Sequence, residues 1–507
     1  MKIALIQPSI ISKYPKLTIT EPLGLAYISA VLKKNGHKVK IIDCIALNQN
    51  KVTRIKKDLY RVGINNKNIF NEINKIKPDI IGISSNFTIH KDDALNLAKV
   101  LKDNFKSIKI ILGGVHPTME HENLIKLNYI DYIIRGEGEI TTLELLNAIS
   151  NKKSLKNVLG LTYKSNGRVI INKDRPLINN IDTLPLPDRD ALDMDFYMKN
   201  GKETFYYALN QPICTMVTSR GCPYNCIFCS TKTMWRRRWR PHSAKRVFKE
   251  IMELHNKYGA KEIVIYDDSF ILNKKRVKEV CNLIIKANLK ITLNAPAGLS
   301  VWILDEETID IMKKAGFYRM CMPIESGSEN TLKFIGKPVD LEKTKRLIRY
   351  MNKKGIWTTA NFIIGFPYET RDDIEKTIKY ACESGIDHAI FYIAQPYTGT
   401  ELYDIYKKEG LLNSEIPDAE TSYAYYPTKK FSESELNKLV GEARQRFYKT
   451  RIKHILNPIF FCSNILPKLM SFNNLKFSIE KLKTYLTSDL LKPRQLKIAG
   501  NKSEKAS

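Results

Sequence analysis

The chain has 507 residues, which exceeds what one hydrophobic core usually supports, so we expect two or three domains. Its composition, 43% hydrophobic and 27% charged, is typical of a soluble globular protein, and no apolar run approaches the roughly 18 to 20 residues of a membrane-spanning helix. The net charge of +29 favours anionic partners such as nucleic acid, lipid head groups or phosphorylated substrates, although lysines spread over a solvated surface would give the same excess.

The start of the chain and its cysteines indicate a cytoplasmic protein. The apolar stretch after Met1 is too short for a signal peptide and lacks a small-residue cleavage site, so we predict a first β-strand there. Nine cysteines are too few and too scattered for a disulfide framework, and only three of them cluster. A reducing compartment fits this pattern best.

Short β-branched runs alternate with helical patterns over residues 1–146. We predict strands at 2–7, 39–43, 80–84, 108–112 and 132–134, and helices at 24–35 and 92–102. This alternation is typical of an α/β fold with a doubly wound parallel sheet. Ligands of such sheets bind at the carboxyl ends of the strands.

Small or polar residues follow the predicted strands at that edge. They are Glu21-Pro22-Leu23-Gly24, Ser84-Ser85, Gly113-Gly114-Val115-His116-Pro117 and Gly136-Glu137-Gly138-Glu139. Glycines there allow a backbone to approach a bound group closely. A turn explains any one segment, but four at one edge of a sheet favour a binding face.

The alternation of predicted strands and helices becomes irregular over residues 147–205. The runs 161–164 and 168–172 flank Asn166-Gly167, which is a strong hairpin signal. The prolines of Leu184-Pro185-Leu186-Pro187-Asp188 disfavour helix and strand interiors. We interpret this stretch as a hairpin followed by a linker.

Strand and helix alternate again over residues 206–397. The predicted strands are 213–219, 262–267, 290–295, 319–325, 358–365 and 388–394. Between the first two lies a predicted helix, 244–258, with Ser243 as its cap and Gly259 at its end. Six such units with right-handed crossovers form a partial (β/α)6 barrel, open on one side, whose site lies where the strands end.

The last part, residues 398–507, is mostly helical in pattern and basic. From Lys438 to Ser507 there are 15 Lys and Arg against 4 Asp and Glu, a net charge of +11. Apolar residues such as Leu456 and Ile459 are interleaved with these charges. Two interpretations stay open, a helix on a membrane surface and a basic helical cap on the barrel.

Three cysteines, Cys222, Cys226 and Cys229, form a Cys-x3-Cys-x2-Cys loop directly after a predicted strand. Thiolates suit iron-sulfur clusters or zinc, but a structural zinc ion normally needs four protein ligands. The nearest further candidate, His242, is distant in sequence. A [4Fe-4S] cluster on three cysteines keeps one iron open for the amine and carboxylate of an amino acid, and an electron from it can cleave a neighbouring sulfonium.

These residues resemble the radical S-adenosylmethionine (SAM) superfamily, and the resemblance continues beyond the cysteines. In that family the aromatic position of Phe228 packs beside the adenine of SAM. Glu325 and Ser326 belong to a Glu-Ser-Gly-Ser segment that resembles the one contacting the ribose and amino-acid portion of SAM. Residues 361–370, with Gly365, resemble the segment near the adenine. A strand end followed by a helix cap explains each segment alone, but less well their order along one barrel.

The N-terminal segments resemble the cobalamin-binding radical SAM enzymes, which include the hopanoid C-2 methylase, many antibiotic-pathway methyltransferases and the anaerobic magnesium-protoporphyrin ester cyclase. The resemblance rests on Pro22-Leu-Gly-Leu-Ala-Tyr27, Leu112-Gly-Gly-Val-His-Pro117 and Arg135-Gly-Glu-Gly-Glu139, and covers residues 1 to about 450. It implies that residues 1–146 bind cobalamin. The implied contacts are Leu23, Gly24, Ser84, Ser85, Gly113, Gly114, His116, Gly136, Glu137 and Gly138.

One position departs from many cobalamin domains. Where those domains carry Asp-x-His-x-x-Gly, this chain has Gln7-Pro-Ser-Ile-Ile-Ser12. The resemblance then implies cobalamin bound without a protein imidazole on cobalt. A degenerate domain that binds no cobalamin is the alternative.

Several further residues have more than one interpretation. Asp267 and Asp268 end the second barrel strand, where they bind substrate, accept a proton or cap a helix. The arginines of Trp235-Arg-Arg-Arg-Trp-Arg240 bind phosphate, stack on a planar ligand or line the loop over the cluster.

The leading hypothesis is methylation of an unactivated substrate carbon, with a [4Fe-4S] cluster, SAM and cobalamin as cofactors. Cyclisation, rearrangement or carbon-carbon coupling with the same cofactors is the second. RNA modification and a cobalamin or redox sensor are less favoured, and we expect no nucleic-acid partner. The expected partners are a small-molecule or lipid-like substrate and an external one-electron donor such as flavodoxin or ferredoxin. The basic C-terminal region is a candidate for peripheral membrane contact.

Overall fold

A computed structural model describes residues 1–12, 19–48, 52–56, 59–204, 208–412, 423–470 and 475. The strands of its first part are β1 (Lys2–Gln7), β2 (Ile10–Ser12), β3 (Lys38–Asp43), β4 (Val52–Lys56), β5 (Leu59–Val62), β6 (Ile80–Ser84), β7 (Lys109–Gly113), β8 (Tyr132–Ile134), β9 (Leu161–Ser165) and β10 (Arg168–Ile171). The helices are α1 (Leu23–Lys34), α2 (Asn66–Ile76), α3 (Lys91–Asn104), α4 (Val115–Leu124), α5 (Gly138–Ser150) and α6 (Met194–Thr204).

The first sheet is parallel over the spatial order β3-β1-β6-β7-β8, which confirms the doubly wound architecture. Side chains alternate along β1, so Ile3 and Leu5 face the core shared with α1 and α5, whereas Ala4 and Ile6 face the core shared with α2 and α3. In chain order the parallel strands run 2-1-3-4-5, and sheets of this order bind ligands where the order reverses, between β1 and β6.

The hairpin β9–β10 extends this sheet, whereas the sequence grouped it with the linker. β9 pairs antiparallel with β8, with Ile134 opposite Leu161. Leu161 and Tyr163 are buried in the core with α5, so the apolar face of the hairpin packs against the N-terminal sheet. A small antiparallel sheet, β2-β5-β4, was also not predicted.

The second part of the chain has the strands β11 (Ile213–Met216), β12 (Ser219–Arg220), β13 (Arg240–Pro241), β14 (Glu262–Ile265), β15 (Thr292–Ala295), β16 (Phe317–Glu325), β17 (Trp357–Ile364) and β18 (His388–Ile393). Its helices are α7 (Thr231–Trp235), α8 (Ala244–Tyr258), α9 (Lys274–Lys286), α10 (Glu306–Lys314), α11 (Glu329–Phe334), α12 (Leu341–Lys353), α13 (Arg371–Glu383), α14 (Glu401–Lys408), α15 (Glu433–Leu456), α16 (Pro458–Phe460) and α17 (Leu466–Leu469).

The described strands of this part form a six-stranded parallel sheet in chain order, β11-β14-β15-β16-β17-β18, as predicted for a partial barrel. The predicted caps of α8 are also present, since the Ser243 side chain accepts from the backbone N–H of Arg246 and Gly259 is left-handed. β12 and β13 pair outside this sheet. They support the loop that carries the three cysteines.

The described C-terminal residues are helical, as expected. α15 begins with a capping box of Ser432 and Glu435, and it packs on β18 and α13. Lys468 of α17 is buried, with Nζ 2.7 and 2.6 Å from the carboxylate oxygens of Asp387. No helix in the described ranges is long and apolar enough to cross a membrane. Apart from residue 475, the predicted basic tail beyond 470 lies outside them.

Candidate functional site

The cysteine loop leaves β12 at Gly221 and passes close to its neighbours. Gly221 has φ +86°, and a Cβ there would collide with the carbonyl oxygen of Arg238 and lie 2.9 Å from Cβ of Trp235. Its N–H donates to Oδ2 of Asp268 at 3.1 Å. Glycine therefore lets the start of the loop pass close to the segment that contains Trp235 and Arg238.

The three thiols are half-buried and influence one another. Burial raises the pKa of Cys226 to about 11 and also raises that of Cys222, and Cys229 adds to both effects. Sγ of Cys229 lies 2.9 Å from Oγ1 of Thr231. In the described ranges no three His, Cys, Asp or Glu side chains converge on a metal-sized site.

A buried ion pair lies beside the thiols. Nζ of Lys337 donates to Oε1 of Glu325 at 2.9 Å, and each side chain is only 7% exposed. Burial opposes the charge on Lys337, but Glu325 and then Cys226 raise the pKa of its ammonium group. Glu325 ends β16 at φ +69°, a conformation that costs free energy in a non-glycine residue and that clusters at functional sites.

The other predicted SAM residues lie around this pair. The Lys337 ammonium group lies 6.0 Å from the ring centroid of Phe228, which is 5.9 Å from that of Phe366, the residue after Gly365. Ser326 is buried and its hydroxyl lies 2.9 Å from that of Thr377. The structure therefore places Phe228 and Glu325 near the cysteines, whereas the Ser326 hydroxyl bonds a helix of the barrel.

An open cavity of about 280 Å³ lies between the edge of the first sheet and the barrel. Eight of the ten residues implied for cobalamin line it: Leu23, Gly24, Ser84, Gly113, Gly114, Gly136, Glu137 and Gly138. The barrel contributes Val217, Arg220, Met234 and Trp235. Ser85 and His116 are buried and do not line it.

Buried ion pairs join the two parts of the chain at this cavity. Nη1 of Arg220 lies 2.8 Å from Glu137 and Nη2 lies 2.6 Å from Glu139, while Arg240 lies 2.8 Å from Glu137. Burial opposes the charge of Glu137, but Arg220 and Arg240 lower the pKa of its carboxyl group. Because Arg220 directly precedes the cysteine loop, these pairs connect that loop to the first sheet.

Comparisons with known proteins agree with this geometry. The B12 binding domain family matches residues 17–146, and the Radical SAM superfamily matches residues 216–381. An uncharacterized methyltransferase of Pyrococcus horikoshii is 36% identical over 472 residues, which is 91% of this chain and 95% of that protein. The chain belongs to the cobalamin-binding radical SAM enzymes.

Two further proteins resemble this cobalamin-binding radical SAM enzyme. The cytidylyl-2-hydroxyethylphosphonate methyltransferase of Streptomyces wedmorensis is 29% identical over 445 residues, 82% of this chain and 83% of that protein. The cobalamin-dependent SAM radical enzyme OxsB superposes with a TM-score of 0.69 at 20% identity, over 96% of this chain and 71% of that chain. OxsB supports the fold alone.

The family implies three cofactors. The radical SAM domain implies a [4Fe-4S] cluster and SAM, and the B12 binding domain implies cobalamin. The cavity fits cobalamin, because an ideal Cβ on Gly24 or Gly113 would meet no atom within 4 Å, so open space lies directly beside the backbone of both glycines. The three thiols on one loop fit the cluster.

The two predicted catalytic aspartates occupy different surroundings. Asp267 is buried, and its carboxylate accepts from the N–H and hydroxyl of Thr218 and the hydroxyl of Ser219, each at 2.6 Å. Asp268 instead accepts from the N–H of Gly221 at the start of the cysteine loop. Both carboxylates therefore hold the backbone near the cysteines, and a proton-transfer role for them stays a prediction.

Sequence reasoning missed two residues of this site, Lys337 and Arg220. Lys337 follows Glu325 by twelve residues across α11, and nothing in the sequence distinguishes it from the many surface lysines. Arg220 has a weak signal, since it stands directly before the first glycine and cysteine of the loop.

Proposed function

We propose that this enzyme methylates an unactivated carbon of a small-molecule or lipid-like substrate. The observation that carries the proposal is that one cavity has walls from both domains. Glycines at the edge of the first sheet form one wall, and Arg220 and Trp235, which flank the cysteine loop, form part of the other. When bound, the cluster and SAM would supply a radical that activates the carbon, and cobalamin would supply the methyl group.

Residues beside the cysteines are suited to hold SAM. The Lys337 ammonium group can donate to the carboxylate of the SAM amino acid, and Glu325 can accept from an amine or a ribose hydroxyl. Phe228 offers an apolar ring next to them. We assign Phe228, Glu325 and Lys337 to SAM, the three cysteines to the cluster, and the eight lining residues of the cavity to cobalamin.

The names of the two sequence relatives support methyl transfer, since both are methyltransferases. The test is turnover with SAM that carries a deuterated methyl group, reductant and a cell extract as the source of substrate. We expect a product whose mass exceeds that of the substrate by one added deuterated methyl group. The Cys226→Ala variant should not form this product. A product that depends on Cys226 but lacks the label would contradict methyl transfer and favour cyclisation or rearrangement.

The electron for SAM cleavage comes, in this proposal, from an external carrier such as flavodoxin or ferredoxin. The test is anaerobic formation of 5'-deoxyadenosine with reduced flavodoxin or reduced ferredoxin in place of a chemical reductant. Product formation with the chemical reductant but with neither carrier protein would contradict this part.

We also propose that the C-terminal helices touch an anionic membrane surface. Leu456, Ile459 and Met470 are 76%, 81% and 83% exposed, and the basic tail follows them. Exposed apolar side chains beside lysines are typical of peripheral contact with anionic lipid.

Co-sedimentation with vesicles tests this contact. We expect binding to vesicles that contain phosphatidylglycerol but not to pure phosphatidylcholine, and loss of binding when Leu456 and Ile459 are both changed to Glu. Phe87→Glu is the matched control, since Phe87 is 67% exposed on the N-terminal part. Equal binding by the double variant and the control would refute the contact.

A further inference from the structure

A second pocket adjoins the cobalamin cavity at the domain junction. It has a volume of about 310 Å³ and shares Gly136, Glu137 and Met234 with that cavity. Its basic walls come from three parts of the chain, with Arg135 after β8, Arg175 after the hairpin β9–β10 and Arg236 after α7. A ligand here would touch both domains beside the proposed methylation site.

The guanidinium groups of the pocket outnumber the carboxylates that pair with them. Asp174 serves both Arg135, at 3.1 Å, and Arg236, at 2.9 Å. Arg175 pairs with Glu144. Three cations therefore share two carboxylates. The side chain of Asp174 is 59% exposed, so an arriving anion can displace it toward solvent.

One donor of the pocket is buried and unused. The side chain of Arg135 is 7% exposed, and one of its terminal nitrogens donates to the carbonyl oxygen of Asn172. Its Nε is buried and has no hydrogen-bond partner among the described residues. A buried donor without a partner is unfavourable, and an acceptor that reaches Arg135 would remove this penalty.

We propose that this pocket binds an anionic group of the substrate, a phosphate, phosphonate or carboxylate, and so orients the carbon to be methylated. Arginine forks bind such groups through paired hydrogen bonds. The inference rests on the proposed function, because it concerns the substrate of the same reaction. Cobalamin's own nucleotide phosphate is the other source of this chemistry. The barrel wall, Thr233, Met234 and Gly399, favours the substrate, which must reach the barrel that binds SAM.

The test is calorimetric titration of the cobalamin-loaded protein with methylphosphonate. We expect binding that Arg236→Gln weakens at least tenfold and that Arg238→Gln leaves unchanged. Arg238 is an exposed neighbour that bonds Asn179 and does not line the pocket. Arg135→Lys, which keeps the charge but removes the buried Nε, serves as a second variant and should also weaken binding.

Three outcomes would overturn the inference. The first is that methylphosphonate does not bind, and the second is that the Arg236→Gln and Arg238→Gln variants bind it equally well. The third is that methylphosphonate binds only to cobalamin-free protein and that Arg236→Gln no longer retains cobalamin. The last would assign the pocket to the cobalamin phosphate. Reductive SAM cleavage by the wild-type protein is measured in parallel. Cleavage without methylphosphonate binding defeats this inference alone, whereas binding without cleavage defeats the proposed function.

Discussion

Replacing Arg220 by Gln should loosen the contact between the first sheet and the cysteine loop. Arg220 is the ion-pair partner of Glu139 among the described residues, and the two side chains are only 11% and 6% exposed, whereas Glu137 keeps its pair with Arg240. The variant therefore leaves one buried carboxylate unpaired. Removing one partner of a buried pair costs about 3–5 kcal/mol, because the remaining charge stays desolvated.

A double-variant cycle measured by thermal unfolding of the apoprotein tests this magnitude. Arg220→Gln should lower the unfolding midpoint clearly, and adding Glu139→Gln should recover a large part of the loss, because no unpaired charge then remains. The control is Arg371→Gln, which removes an exposed pair with Glu442 that is worth no more than about 1 kcal/mol. If Arg220→Gln melts like that control, or if the double variant is no more stable than the single one, the reasoning is refuted.

Three further predictions concern the cofactor sites and pH. Gly24→Val should fill part of the cavity and weaken cobalamin retention about tenfold or more. The control Gly441→Val, which is also helical with open space around it, should not change retention. Cobalamin absorbance after gel filtration measures both. Lys337→Met should weaken SAM binding about 10- to 100-fold through loss of a charged donor, and exposed Lys333→Met should leave the calorimetric affinity unchanged. Burial raises the pKa of Glu369 from 4.5 to about 8, so the folded protein loses stability as pH rises from about 4.5 to 8. Comparison of melting at pH 5 and pH 8 should show a smaller fall for Glu369→Gln, and equal falls would contradict the assignment.

Much of the fold follows from local patterns in the sequence. The strands at 2–7, 80–84 and 132–134 have the predicted bounds, because β-branched runs there end at polar turn residues. The sequence did not predict where the hairpin β9–β10 packs. Its pairing with β8 joins segments about thirty residues apart and depends on which apolar face is left uncovered. In the sheet β2-β5-β4, the pairing of β2 with β5 is also distant in the chain, with Ile10 opposite Val62, whereas β4 and β5 are neighbours whose hairpin was simply not predicted.

The sequence likewise indicated only part of the candidate site. The three cysteines and the strand-end glycines were found because short spacing and turn residues mark them locally. Glu137 was implied as a cobalamin contact, and it lines the cavity, but its carboxylate is engaged by Arg220 and Arg240, which follow it by more than eighty residues. Ion pairs leave no periodic trace in one sequence, so the pairs of Arg220 with Glu137 and of Lys337 with Glu325 are seen only once the chain is folded.

Cofactor and product analysis of anaerobically reconstituted protein tests the central claim most directly. Wild-type protein, supplied with cobalamin, reductant and SAM, should contain cobalt with iron and sulfide in the proportion of a [4Fe-4S] cluster, and should form 5'-deoxyadenosine. The Cys226→Ala variant should lose the iron and this product but keep the cobalt, because the cobalamin cavity lies on other residues. Formation of 5'-deoxyadenosine by the variant, or wild-type protein that retains no cobalt, would contradict the account.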